Sequence, residues 1–350
     1  FEHAIHKLPM TTANIDHPHK TAAVRPVSIA EIYGPIEADM ASVEENLRLW
    51  SQSSNPLIAE VSRYVFRKSG KRIRPALVLL AAKLAGYEGN EGVYLSTLVE
   101  IIHTASLIHD DIIDNTRLRR GEESVHSKWG PNITVLLGDY LYIKSISLSL
   151  ESKHADIIRV LSDISMQMIE GELIEYYHSG NLSLAESEYL DIIRKKTASL
   201  FSASCEIGAI LAKASSRQRN LLVEYGDNLG MSFQIIDDLL DFTGNEGLLG
   251  KPVLSDFREG RITLPLIHAL DNDGRVHRDR LSEFVQTKNL GDEARRVILE
   301  VVTATGALDY AFNRAREYAS RSQEILTNFP ESPFRNSLLG LSDFVLNRDQ

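Results

Sequence analysis

Apolar side chains return at three- and four-residue intervals along almost the whole chain. Leu95, Leu98, Val99, Ile102 and Leu107 form one such stripe, and Leu221, Leu222, Tyr225, Leu229, Phe233 and Ile236 form another. This spacing predicts amphipathic α-helices, because successive helical residues turn by about 100° and regain one face every three or four steps. Strand-like alternation over several residues is hard to find. Helix-breaking clusters interrupt the pattern at Ser69-Gly70, Gly86–Gly92, Asn115–Gly121, Gly130-Pro131-Asn132, His178–Asn181, Thr243–Pro252, Asn272–Gly274 and Asn328–Pro333. Ser183, with Glu186 three residues on, predicts a capping box that opens a helix. Most segments between the breaks suit ordinary helices, and none of the breaks has linker composition. The expectation is an all-α protein with one large helical domain over 26–350, although 350 residues alone would allow two.

Two places put charge where the helical pattern is otherwise apolar. Asp110-Asp111-Ile112-Ile113-Asp114 and Asp237-Asp238-Leu239-Leu240-Asp241 repeat one arrangement, D-D-x-x-D. On a helix, Asp110 and Asp114 lie one turn apart on a face that His103 and Ser106 extend backwards. Gln234, Asp237, Asp238 and Asp241 share a second face, with Phe233, Ile236 and Leu240 opposite. Carboxylates crowded in apolar surroundings repel one another and resist desolvation, so they call for a counter-charge. A hard divalent cation such as Mg²⁺ supplies one, and it shares its coordination with substrate phosphates.

Basic residues follow both clusters. Arg117, Arg119 and Arg120 precede Gly121; Lys251, Arg258 and Arg261 come after the second cluster. A third basic group, Gly70-Lys71-Arg72-Ile73-Arg74-Pro75, leads into the apolar run Ala76–Leu84. Pro75 suits a first helical turn, which places Lys71 and Arg74 near a helix N-terminus that favours anions. Taken singly, each group reads equally as a solvated surface cluster. Acid followed by base, twice, points instead to a metal–diphosphate site between two helices. A rival pattern is Glu100-x-x-His103 with Glu151-x-x-His154, the Glu-x-x-His spacing of di-iron helical bundles.

Charge and composition narrow the partners. A net charge of −10 argues against nucleic acid. The one cysteine, Cys205, excludes an internal disulfide, fits a reducing compartment and sits in an apolar run that suggests packing. No stretch is apolar enough to span a bilayer, and residues 1–25 lack a signal-peptide core and carry only one arginine, Arg25. With His3, His6, His17 and His19, that segment reads as a disordered or vector-derived leader, and the expected location is cytoplasmic. The arginine-rich tail after Asn272 interleaves acids, which predicts a solvated helical face, with membrane-surface contact as the alternative.

Together these motifs resemble the trans-isoprenyl diphosphate synthases, the polyprenyl synthetase family, from about Asn55 to the C-terminus. The likeness rests on Gly70–Pro75, the first Asp cluster with Arg117–Gly121, Lys196-Thr197, Phe233-Gln234 with the second cluster, and Gly250-Lys251 with Arg261, in family order. It implies the isoprenoid synthase fold, with a central cavity between the helices that carry the two motifs. It implies Mg²⁺, three ions with substrate bound, on Asp110, Asp114 and Asp237, with Asp111, Asp238 and Asp241 in support. Arg119, Lys196, Thr197, Gln234, Lys251 and Arg261 would contact an allylic diphosphate (geranyl, farnesyl or geranylgeranyl). Lys71, Arg74, His103 and Arg120 would hold isopentenyl diphosphate. Position 261 is often Lys in the family; Arg keeps the charge but changes the shape. The small residues Ala105 and Ser106, one to two turns before the first Asp, imply a product longer than farnesyl, a medium or long polyprenyl diphosphate for a quinone side chain. A homodimer is implied by the resemblance alone. Alternatives are a geranylgeranyl diphosphate synthase, the catalytic subunit of a heteromeric synthase, a terpene cyclase and the di-iron protein.

Overall fold

In chain order the first helices of this computed structural model are α1 (Ile29–Tyr33), α2 (Glu37–Trp50), α3 (Pro56–Phe66), α4 (Ile73–Leu84), α5 (Glu91–Ile113), α6 (Val125–Trp129), α7 (Pro131–Ser149) and α8 (Ala155–Tyr177). Then come α9 (Glu186–Ile193), α10 (Ser199–Leu211), α11 (Ser216–Thr243), α12 (Ser255–Arg258), α13 (Leu264–Asn272), α14 (Arg278–Thr287), α15 (Asp292–Ala304), α16 (Ala307–Leu326) and α17 (Pro333–Leu346). The residues described are 28–67, 70–119, 121–152, 154–243, 253–272, 278–287 and 291–348. The leader 1–25, Arg120 and Lys251 lie outside them.

Side-chain caps set several of the starts. Ser28 caps α1 with Glu31 closing the box, Asn55 caps α3, Ser124 caps α6 and Ser332 caps α17. The box expected at Ser183 is absent. α9 starts at Glu186, and the Glu188 carboxylate accepts from the Ala185 backbone N–H at 2.8 Å. Ser183 instead accepts a hydrogen bond from Arg278 at 3.0 Å.

Helices α4, α5 and α10 are buried on nearly every side, as central helices of a large domain must be. α5 packs on α4 and α7, and α10 packs on α4, α8 and α11. α11 lies against α16, and its Tyr225, Leu229 and Ile235 are fully buried, with the Tyr225 hydroxyl donating to Leu338 O of α17 at 2.8 Å. The contact of α4 with α10 needs Gly208, where an added Cβ would stand 2.6 Å from the Ala82 nitrogen and the Val78 oxygen. Gly171 on α8 plays the same part towards the chain around Lys196, where a Cβ would stand 2.6 Å from the Lys196 nitrogen.

Two local features depart from plain helix. The basic loop after α5 forms a short antiparallel ladder, β1 (Leu118–Arg119) with β2 (Glu122–Glu123), pairing Leu118 with Glu123 and Arg119 with Glu122. Its reversal uses Gly121 at φ +76, a left-handed conformation open to glycine. Between α9 and α10, Arg194–Ala198 widens into a π-turn, a feature common at functional sites. No described helix is long and apolar enough to cross a membrane.

Candidate active site

α5 runs through the core and ends where its first Asp cluster begins to meet solvent. Asp114 is the C-cap residue, so its carboxylate leaves the helix end rather than its flank. The three aspartates diverge. Asp110 lines a central cavity of about 620 Å³. Asp114 lines a smaller, polar cavity of about 160 Å³. Asp111 turns away, buried, and accepts a hydrogen bond from Arg119 Nε at 2.6 Å.

The second cluster, near the end of α11, faces the same cavities. Asp237 lines both, beside Lys196, Thr197 and Gln234, so the two cavities adjoin along this wall. Asp238 reaches only the smaller one; it accepts from Tyr189 Oη and from Gln234 Nε2, each at 2.7 Å. Asp241 is fully engaged in structure. It accepts from Ser255 N and Oγ at 3.2 and 2.7 Å and from Asp256 N at 3.0 Å, which fixes α12 behind the site.

The electrostatics follow from this crowding. Burial, with Glu172 and Asp114 nearby, pushes Asp110 up to about 7 despite the opposing Lys196. Burial and Asp256 likewise raise Asp238 far above the usual carboxylate range. These are groups that ionise readily only beside a cation. Among the described residues, no three His, Cys, Asp or Glu side chains converge closely enough to cage an ion unaided. The donor set therefore fits a hard cation that takes part of its shell from substrate oxygens and water.

Protein cations already sit among the carboxylates. Lys196, presented by the π-turn, places Nζ 2.5 Å from both Glu172 and Glu175 of α8. Burial opposes its charge, but Glu175, Asp110 and Glu172 outweigh burial and keep the ammonium protonated. Arg261 bonds Asp114 and Asp256, both at 2.8 Å, and also pairs with Glu259. Thr197 donates to Gln234 Oε1 at 2.7 Å, and Gln234 passes the chain to Asp238.

A third cavity, of about 550 Å³, is basic and joins the central one through Arg74, His103, Phe233 and Arg348. Lys71 lines it as well. Arg74 Nη1 lies 3.0 Å from His103 Nε2, and its guanidinium covers the Phe201 ring at 4.7 Å. Its Nε is buried without a partner, as are Nε and Nη1 of Arg348. Burial lowers Arg74 to about 10, with Arg348 adding to the effect against Glu100. Buried guanidinium nitrogens without acceptors are costly, and an anion bound between them would satisfy them.

Of the residues singled out in sequence, Asp110, Asp114, Asp237, Lys196, Thr197, Gln234 and Arg261 come together at the two adjoining cavities. Lys71, Arg74 and His103 come together next door. Arg119 reaches the central cavity but is held by Asp111. Ser106 lines the central cavity, whereas Ala105 is fully buried in the core and lines none of the described cavities. Leu107, Ile113, Val135, Met168 and Leu173 supply an apolar part of the lining. The Glu-x-x-His rival does not assemble: Glu151 lies in the turn after α7, and His154 points to Glu91 at 3.4 Å.

Four participants were not singled out in sequence. Glu172 and Glu175 stand three apart on α8 and could have been noticed as a same-face acid pair. Tyr189 reads as an ordinary apolar-stripe residue, and Arg348 is a lone cation near the end of the chain.

An anionic mouth, an apolar cavity and an adjoining cation pocket agree with the comparisons to known proteins. A sequence profile described as Polyprenyl synthetase matches residues 55–302. The chain belongs to the polyprenyl synthetase family. It is 34% identical to the octaprenyl diphosphate synthase of Haemophilus influenzae over 323 residues, covering 92% of this chain and 98% of that one. Among solved structures, it is similar to the Caulobacter crescentus polyprenyl synthase complexed with calcium and isoprenyl diphosphate. There the TM-score is 0.89 at 35% identity, over 93% of this chain and 99% of that one. A decaprenyl diphosphate synthase from Rhodobacter capsulatus gives a TM-score of 0.87 at 35% identity, over 92% and 100%. Family membership sets aside the cyclase and di-iron readings.

Proposed function

We propose that this chain is a prenyltransferase that condenses isopentenyl diphosphate with an allylic diphosphate, repeatedly, to give a medium or long all-trans polyprenyl diphosphate of the kind used for quinone side chains. The observation that carries this reading is the contiguity of three environments. Carboxylates from α5 and α11 face one another across the end of an apolar cavity of about 620 Å³, and a pocket with unsatisfied guanidinium nitrogens opens beside it. The octaprenyl and decaprenyl names of similar proteins support the long product.

Asp110, Asp114 and Asp237 would hold Mg²⁺, three ions with substrate bound, and a similar protein was crystallised with calcium and isoprenyl diphosphate. Bound ions would neutralise the allylic diphosphate and ease its departure. Lys196, Thr197, Gln234, Arg119 and Arg261 would then add donors to the same oxygens, where charge grows as the carbon–oxygen bond breaks; the family resemblance alone adds Lys251, which lies outside the described residues. Leu107 and Met168 shield the resulting allylic cation from water. Lys71, Arg74 and His103 would hold isopentenyl diphosphate, with Arg120, outside the described residues, added by the family resemblance alone, so that its double bond attacks that cation and a proton passes to the released diphosphate. The growing tail lies against Ser106 and the apolar wall.

The reading includes a homodimer that works in the cytoplasm and touches a membrane surface briefly, since so apolar a product must be handed to lipid. Leu136 and Ile143 of α7 and Leu173 and Tyr177 of α8 are 64–84% exposed. Large apolar side chains on two packed helices mark a contact face, and a second copy of the chain satisfies it.

The test is incubation with Mg²⁺, labelled isopentenyl diphosphate and, separately, geranyl, farnesyl and geranylgeranyl diphosphates, with chromatography of the dephosphorylated products. A ladder ending at one long polyprenol is expected. A product that stops at geranylgeranyl would make this a shorter-chain synthase. No incorporation from any starter would turn the assignment to a subunit that requires a different partner.

A further inference from the structure

One residue in the basic loop is bonded differently from its neighbours. Lys71, Arg72 and Arg74 all line the cation pocket, as does Glu100, but the guanidinium of Arg72 is committed to carboxylates. Its Nε lies 2.6 Å from Glu44 Oε1, its Nη2 3.3 Å from Glu44 Oε2, and its Nη1 2.6 Å from Glu100 Oε1. The side chains of Arg72 and Glu100 are each only 5% exposed. Arg72 also adopts φ +50, the left-handed conformation that a side chain rarely takes, at the junction where the loop turns into α4. Tyr33 ties the preceding carbonyl, donating to Lys71 O at 2.7 Å.

Glu100 and His103 stand one turn apart on α5 and grip two arginines that are two residues apart. Glu100 takes Arg72, and His103 contacts Arg74 at 3.0 Å. The Glu-x-x-His spacing that resembled a metal motif thus has a different use: α5 serves as a ruler for the loop. We propose that the Glu44–Arg72–Glu100 cluster positions the loop, holding it in its left-handed turn so that Lys71 and Arg74 point into the isopentenyl diphosphate pocket, while Arg72 itself does not touch the substrate. The proposal rests on the assignment of that pocket to isopentenyl diphosphate. A planar fork that engages two carboxylates at once is needed for this, and a lysine does not replace it.

The experiment measures kcat and both KM values in the full-length enzyme for Arg72→Lys, Glu100→Gln, Glu44→Gln and, as a control, Arg74→Ala. Arg72→Lys and Glu100→Gln are expected to raise KM for isopentenyl diphosphate about tenfold. kcat and KM for the allylic substrate should stay within about twofold. Glu44 is partly exposed, so Glu44→Gln keeps the fold and is expected to raise the same KM about threefold. A KM for isopentenyl diphosphate unchanged in Glu44→Gln and Arg72→Lys would overturn the proposal, as would equal rises for both substrates. A rise confined to the Arg72 variant, with both Glu variants at wild-type values, would make Arg72 a direct ligand and overturn it as well. Should Arg74→Ala leave that KM unchanged, the pocket assignment itself would fall, a result separate from any of these.

Discussion

Ser106 and Ala105 are neighbours in sequence and separated by the thickness of a helix wall. Ser106 lines the central cavity, while Ala105 is packed in the core. Ser106→Phe is therefore expected to shorten the product towards farnesyl or geranylgeranyl at nearly unchanged stability. Ala105→Phe should first cost about 1–3 kcal/mol by overpacking. Product chromatography and thermal melting of both variants separate the two effects; a shorter product from Ala105→Phe alone would mean that the tail runs behind the observed wall. Asp110 gives a second prediction at this scale. Its folded pKa of about 7 exceeds its ordinary value of 3.8. The stability it contributes is thus present below about pH 4 and lost as pH rises through 7. With chelator present, the melting temperature of wild type should fall more steeply between pH 5 and 8 than that of Asp110→Asn. Mg²⁺ should flatten the wild-type curve, because a bound cation favours the ionised carboxylate. Equal slopes for the two proteins would show that Asp110 carries no such burden.

At the scale of elements, the π-turn at Arg194–Ala198 depends on a glycine one helix away. A methyl at Gly171 would meet the Lys196 backbone nitrogen at 2.6 Å. Gly171→Ala should destabilise the fold by about 1–3 kcal/mol and lower kcat, since Lys196 would leave its seat between Glu172 and Glu175. An unchanged kcat would mean that the turn tolerates the shift. The π-turn adds one residue to a turn without altering the apolar stripe, and the glycine contact joins two separate stretches of sequence, which is why the helical pattern did not reveal them. The long helices α5 and α11 were legible, because their stripes bury against neighbours on several sides. The hairpin at Leu118–Glu123 was not, being too short for alternation to register. The aspartates were legible because a carboxylate cluster has no comfortable place in an apolar stretch. Ser183 misled for a related reason: a capping box is a local preference, and a partner 95 residues away, Arg278, took its hydroxyl.

For the whole molecule, the exposed apolar residues of α7 and α8 predict self-association. Replacing Ile143 and Leu173 together by Glu should convert a dimer into monomers in sedimentation experiments, with helical content retained. A wild-type chain that sediments as a monomer at micromolar concentration would rule out that face as a stable contact. Arg261 reaches Asp114 across 147 positions of sequence and joins the segment after α11 to the end of α5. In the proposed reaction, an ion held by Asp114 would compete with that guanidinium, which keeps Asp256 and Glu259 as partners and would stay beside the bound diphosphate. Once the diphosphate and its ion depart, the ion pair of Arg261 with Asp114 would again balance the carboxylate. Loading and unloading become exchanges between like partners, so the cleft ends each round of growth at the charge with which it began. An enzyme that adds one isoprene unit after another meets that exchange at every step.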